Sequence, residues 1–263
     1  MPLIYDVGMY DGSDTAFYLQ KGFDVIAVEA NPRQVEKMQT AFHAELASGR
    51  LTIHGVAVAA EAGTARLLVH DHDDWTRLDA FRDYRFDPGA YQELSVPARR
   101  FGDIYAEHET PYYVKLDIEG SETFAIRDIF ASGRYPEYLS FEANPEKDAL
   151  LELCVEHGYR RFNIVPQKAK AGWQLPNPPL EGNYVPVHFN TNMSGPFGRE
   201  IPGAWMTLRQ VHQAFQDWRM AVERGEEAAR QEWHDIHAWR DGASSRFGWK
   251  ALAGRLERGL RGI

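Results

Sequence analysis

The sequence predicts an α/β protein built on a mostly parallel sheet with helices on both faces. Three observations carry this. Apolar runs alternate with helix-period runs through residue 165, a pattern of strand–helix crossovers rather than hairpins. The first apolar run ends in a turn with glycines at Gly8 and Gly12. Acids close three separate apolar runs, at Glu29, Asp117 and Glu142. In open parallel sheets these strand ends face the ligand.

The run Leu3-Ile4-Tyr5 leads into Asp6-Val7-Gly8-Met9-Tyr10-Asp11-Gly12-Ser13-Asp14-Thr15, and a helix-like run continues to Lys21. Strand, glycine turn and helix open a nucleotide-binding unit. Gly8 and Gly12 let the backbone turn tightly and approach a ligand. The spacing is G-x-x-x-G, not G-x-G-x-x-G, and taken alone it fits an ordinary turn. The charges narrow the ligand. A phosphate-cradling loop offers bare N–H groups, often with a Lys or Arg. This loop carries Asp6, Asp11 and Asp14 and no basic residue. Carboxylates repel a pyrophosphate and suit a positive centre. S-adenosyl-L-methionine has a sulfonium, an ammonium and no phosphate. The next strand, Asp24 to Val28, ends at Glu29, which lies 23 residues after Asp6. That is near the separation of about 20 expected for an acid that binds ribose hydroxyls.

Further along, Asn31-Pro32 suits a helix start. Val35, Met38, Phe42 and Leu46 give the helix over 33–47 an apolar face, and Gly49 ends it. Residues 51–59 read as a third strand and 64–69 as a fourth, after the turn Glu61-Ala62-Gly63. Residues 70–93 read as a long loop containing His70-Asp71-His72-Asp73-Asp74-Trp75, and long loops often serve as lids or binding loops. A solvated turn is favoured there over a metal site. A short strand over 94–98, a helix over 101–106 and a strand into Asp117 follow. Then come a helix over 123–131, a strand over 138–142, a helix over 147–157 and a strand over 160–165. Prolines break residues 166–202, where 184–189 could add a strand. Residues 204–240 read as helix interrupted at 223–227, and 246–263 as a basic amphipathic helix. Such a helix can lie on a membrane or a partner, but packing on its own domain is favoured.

The bulk composition limits the function. The chain has 263 residues, 44% hydrophobic and 25% charged, room for one sizeable core plus an appendage. A net charge of −9 argues against nucleic acid. A single cysteine, Cys154, excludes an intrachain disulfide and reads as a buried apolar residue. Ten histidines with one cysteine show no zinc-ligand spacing. No run reaches the ~18 apolar residues of a membrane span, and no signal peptide precedes the first strand. The expectation is a cytoplasmic protein with no membrane partner and no metal.

Three motifs, taken together, resemble the FkbM-type methyltransferase family: Asp6 to Thr15, Val28-Glu29-Ala30-Asn31-Pro32, and Val114-Lys115-Leu116-Asp117-Ile118-Glu119-Gly120-Ser121-Glu122. Val56-Ala57-Val58-Ala59 with Gly63 is similar to the family's third strand and hairpin. Ser194 to Gly198 and Trp233 to Ala238 are similar to segments of a bacterial branch. Met9 and Tyr10 are bulkier than the family's usual run there. The resemblance implies a Rossmann-like class I methyltransferase fold, a seven-stranded sheet with one antiparallel strand and S-adenosyl-L-methionine at the strand tips. It also implies a hydroxyl acceptor on a sugar or natural product.

On that reading residues 1–190 form the cofactor-binding domain, with 166–203 as a loop insertion and 204–263 as a C-terminal helical extension. Asp6, Gly8, Tyr10, Asp11, Gly12, Asp14, Thr15, Glu29, Ala30, Asn31, Ala57, Val58 and Asp117 are the cofactor-binding candidates. Asp6 and Gly8 would face the methionine end, Glu29 the ribose, and Ala57 and Val58 the adenine. Helix capping is the rival role for Asp6 and Asp117. Asp117, Glu119 and Glu142 are the catalytic candidates, Glu142 the preferred base, with His70, His72 and His188 behind them. Lys115 suits a structural pairing with a neighbouring acid. Two other functions fit less well. One is a nicotinamide-dependent oxidoreductase, disfavoured by the loop acids. The other is a non-catalytic module that uses Trp205, Trp218, Trp233, Trp239 and Trp249 as a partner interface, with a homodimer through these C-terminal aromatic helices as the expected partner arrangement.

Overall fold

A computed structural model describes residues 1–70, 76–78 and 91–240. The rest of the His/Asp loop after His70, with His72, and the basic 246–263 segment, with Trp249, lie outside the described residues.

The main sheet has seven strands: β1 (Leu3–Val7), β2 (Asp24–Val28), β3 (Leu51–His54), β8 (Tyr113–Leu116), β9 (Tyr138–Glu142), β10 (Arg161–Pro166) and β11 (His234–Trp239). Their order is β10-β11-β9-β8-β1-β2-β3. Every pairing is parallel except those of β11, which runs antiparallel to both β9 and β10. This is the seven-stranded sheet with one reversed strand that the resemblance implies. The reversed strand itself comes from an unexpected place. Residues 234–239 read as helix in the sequence, and 184–189 read as the extra strand. In the fold 184–189 is irregular and 234–239 is β11.

The physical reason is burial on both faces. Ile236 and Ala238 point into one core, and His237 is buried on the opposite face. A strand buried on both sides loses the polar–apolar alternation that marks it. Residues 184–189 contain Pro186, which has no N–H to donate to a ladder. There Val185 and Phe189 pack on the first helix cluster.

β11 also removes the boundary between a catalytic domain and a helical extension. α7 (Leu208–Glu223) and α8 (Glu227–Gln231) link β10 to β11 within one sheet. The capping box of Thr207 and Gln210 starts α7, and its Val211 and Phe215 join the core under β9 and β10. α4 (Phe101–Ala106), α5 (Glu122–Ala131) and α6 (Lys147–Glu156) complete that face. Cys154 is buried among them, and burial pushes its thiol pKa up, which leaves it inert.

The other face is covered by α1 (Ser13–Gln20), by α2 (Pro32–Ala41) and α3 (His43–Ala47), and by the proline-rich segment. Asn31 caps α2 by accepting from the Arg33 N–H at 3.0 Å. The helix expected over 33–47 breaks at Phe42. Residues 166–203, mostly irregular, pack into this core. Phe197 stacks on Tyr113 with ring centroids 5.1 Å apart. Buried Lys21 pairs with buried Glu200 at 2.8 Å.

The strand expected over 51–59 is two strands. β4 (Ala57–Val58) leaves the main sheet after Gly55 and joins β7 (Tyr91–Arg99), β5 (Gly63–His70) and β6 (Arg77–Leu78) in a second sheet of order β4-β7-β5-β6. No helix among the described residues is long and apolar enough to cross a membrane.

Ile236 is fully buried in the strand inserted between β9 and β10. Ile236→Ala should destabilise the whole domain by roughly 2–5 kcal/mol in urea denaturation. An unmoved main transition would mean that residues 204–240 form a separable unit.

Candidate functional site

The strand order reverses between β1 and β8, so a crevice opens beyond their carboxyl ends. A cleft of about 510 Å³ lies there. Gly8, Tyr10, Glu29, Ala30, Asn31, Ala57, Val58, Asp117, Glu119 and Glu142 line it. Three of them show why the turn sequences matter. Gly8 has φ +87°, and a Cβ there would stand 1.8 Å from the Asp117 carbonyl oxygen. The β1 and β8 tips touch, so only glycine fits. Tyr10 and Glu119 hold φ of 47° and 52°, which is uncommon for non-glycine residues. Both face the cleft.

Glu29 is buried at the tip of β2. Its Oε2 accepts the Tyr10 N–H at 2.9 Å and its Oε1 accepts the Asn31 N–H at 2.7 Å. Each oxygen retains a second lone pair for a ligand hydroxyl. Burial raises the pKa of Glu29, and the two N–H bonds oppose that rise.

The remaining loop acids are placed differently. Asp6, Asp11, Gly12, Asp14 and Thr15 are not part of the lining. Asp6 is fully buried, where it accepts from the Thr15 hydroxyl at 2.6 Å. Lys115, also buried, stands 3.2 Å from Asp6, 3.4 Å from Asp14 and 3.6 Å from Asp117, and donates to the Gly8 carbonyl at 2.8 Å. Asp14 also accepts the Ser194 N–H at 2.9 Å, and Asp11 accepts from the Asn192 amide at 3.0 Å. These acids therefore neutralise a lysine and anchor the 191–194 loop. The electrostatic reading of the turn as three uncompensated charges is corrected accordingly. Lys115 comes from a strand more than 100 residues away, beyond any local reading of the loop.

Burial works against the Lys115 charge, but Asp6, Asp117 and Asp14 outweigh it and hold its pKa well above the usual range. For Asp14 burial is the largest cause and lifts the pKa to about 6, against the pull of Lys115.

The cleft is nevertheless acidic. Among the described residues six carboxyl groups line it, from Glu29, Asp117, Glu119, Glu142, Glu232 and Asp235, against the guanidinium groups of Arg77 and Arg230. Arg77 Nη2 reaches Glu119 at 4.0 Å. Burial, then the charges of Glu142 and Asp117, raise Glu119 well above the usual carboxylate range. Burial, then Asp117 and Glu142, do the same to Asp235. Glu122 belongs to the scaffold, since its carboxylate accepts the N–H groups of Ile118 and Gly120, each at 3.0 Å, and shapes the 117–121 turn.

Several lining residues were missed in the sequence. Asp235 sits opposite Glu142 on β11 and was hidden by the helical reading of that segment. Gln167, Thr191 to Ser194 and Arg230 to Trp233 come from segments read as loop or helix. The donor-rich run of 190–198 was the available signal. His70 packs edge-to-face against Tyr91 with ring centroids 4.8 Å apart, and neither His70 nor His188 lines the cleft. Trp205 and Trp239 pack with Tyr138, and Trp218 donates to the Ala229 carbonyl at 3.0 Å. Trp233 is partly exposed at the cleft.

Residues 6–160 match the family described as the methyltransferase FkbM domain. The chain belongs to the FkbM methyltransferase family. Similar solved structures include an FkbM methyltransferase from Methylobacillus flagellatus, 18% identical over 63% of this chain, with a TM-score of 0.41. The chain spans 39% of that protein. A precorrin-6y C5,15-methyltransferase from Geobacter metallireducens is 11% identical over 91% of this chain and 79% of its own, with a TM-score of 0.39. The C-terminal domain of the Rhodobacter capsulatus precorrin-6Y C5,15-methyltransferase is 12% identical over 90% of this chain and 78% of its own, at a TM-score of 0.38. No curated protein matches the chain.

Lys115→Met leaves Asp6, Asp14 and Asp117 uncompensated. The expected loss of stability is roughly 3–5 kcal/mol at about pH 7.5. A carboxyl whose folded pKa is raised stabilises the fold below its unfolded value, and that contribution fades as pH rises through the folded value. Asp14, at about 6 in the native protein, therefore makes the deficit smaller at about pH 5. Urea titrations at both pH values test this, and a deficit equal at both would contradict it.

Proposed function

We propose that the chain transfers a methyl group from S-adenosyl-L-methionine to a hydroxyl of a sugar or natural-product small molecule. The observation that carries the reading is Glu29, a buried carboxylate fixed by two backbone N–H groups at the tip of the strand beside Gly8. Vicinal ribose hydroxyls match its two spare lone pairs. Ala57 and Val58 offer an apolar wall suited to an adenine ring. The excess of carboxylates favours a donor with a sulfonium and an ammonium over a dinucleotide.

When bound, the donor supplies a methyl group already activated by the positive sulfur, so the protein contributes mainly alignment. The Gly8–Asp117 contact fixes one end of the cleft and Glu29 the other. The acceptor hydroxyl must lose a proton. Burial, then the charges of Glu142 and Asp117, hold Glu119 well above the usual carboxylate range, and Glu142, which lines the same cleft, is the base assigned to that proton.

Calorimetric titration with S-adenosylhomocysteine tests the donor. Wild type should bind, and Glu29→Ala should bind about tenfold to a hundredfold more weakly, from the loss of charge-assisted hydrogen bonds. Circular dichroism would verify that the variant is folded. No binding by folded wild type would sink the reading. Once an acceptor is found, Glu142→Gln should lower kcat by about 10²–10⁴ and abolish the acidic limb of the pH profile. An unchanged profile would remove Glu142 as base.

A further inference from the structure

We propose that His54, Glu107 and His108 form a binding site for a divalent transition metal ion, and that zinc is the ion their donor set fits. His54 ends β3, the edge strand of the main sheet, and Glu107 and His108 directly follow α4. One ligand atom from each of the three lies within 4.8 Å of the others. The Nε2 atoms of His54 and His108 are both buried and without a hydrogen-bond partner. An orphaned buried nitrogen is costly, and two converging on one carboxylate point to a shared occupant. None of the three lines the cleft, so the site is separate from the one described above.

Two imidazoles and a carboxylate are a zinc donor set, whereas calcium and magnesium prefer oxygen alone. Arg99 donates to Glu107 Oε1 at 2.6 Å, while Oε2 faces His54 Nε2 at 3.9 Å. The guanidinium orients the carboxylate, and the oxygen turned inward remains for a metal. Arg134 holds the backbone beneath by donating to the His108 carbonyl at 2.8 Å. With zinc–ligand bonds of roughly 2.0–2.2 Å, tetrahedral ligand atoms stand about 3.4 Å apart. The cluster therefore has to contract by roughly an ångström, within reach of ring and carboxylate rotation. His54 and Glu107 are 53 residues apart, so no short ligand spacing announces the site.

A bound ion would fasten the edge strand β3 to the end of α4. It would also steady the chain just before Val56, Ala57 and Val58 in the cleft wall.

The test uses the untagged full chain, titrated with Co²⁺ in the visible range and with Zn²⁺ by calorimetry. The expected result is stoichiometric binding, cobalt d–d absorption of a low-coordinate site that zinc displaces, and a higher Tm with zinc. His54→Ala and His108→Ala should each abolish the cobalt spectrum, and Glu107→Gln should weaken zinc at least about tenfold. His43→Ala, at an exposed helix position, should change nothing. Should His54→Ala fail to fold, His108→Ala and Glu107→Gln carry the test. Absence of stoichiometric binding by wild type, or binding unaltered in the ligand variants, would overturn the proposal.

Discussion

The ammonium of Lys115 is the constraint on which the site depends. It lies almost fully out of water with three carboxylates within 3.6 Å. A buried charge of this kind is tolerated only when paired and hydrogen-bonded. Its partners come from different elements: Asp6 from β1, Asp14 from α1 and Asp117 from the tip of β8. One side chain therefore fixes the relative positions of the strand that opens the turn, the helix that leaves it and the strand beside it. The bond to the Gly8 carbonyl adds the turn itself. The two backbones then meet so closely at Gly8 that no side chain fits.

With the floor fixed in this way, acidity can be concentrated above it. The carboxylates of Glu119, Glu142 and Asp235 crowd one another, and burial adds to their mutual repulsion. Crowded carboxyls share protons and titrate as a group. The left-handed backbone at Glu119 is sustained by Glu122, whose carboxylate binds the N–H groups on either side of it. Conformational strain and electrostatic strain thus fall on the same short turn.

Much of this was legible in the sequence because the signals are local. The apolar run of β1, the glycine turn and the helix-like run of α1 follow one another directly in the sequence, and Asn31-Pro32 gives a helix start with a mechanism. Glu29 and Asp117 were placed at strand ends by the same patterning. What failed is nonlocal. Lys115 suited pairing with a neighbouring acid in the sequence, but its partners Asp6 and Asp14 come beside it only on folding. β11 lost its alternation because both its faces are covered, so its aromatic and apolar residues were taken for a helical face, and Asp235 was lost with it. The single run over 51–59 hid a change of sheet at Gly55, between β3 and β4.

β11 has a consequence for how the chain comes to be folded. It is a late segment that must slot between β9 and β10, two strands laid down roughly 70 to 100 residues earlier in the sequence. Until it arrives, β9 and β10 present unsatisfied edges toward each other. During synthesis the sheet must therefore wait, open along an internal seam, until residue 239 has left the ribosome. Asp235 rides on that closing strand, so the acidic cleft is completed only by the step that seals the sheet.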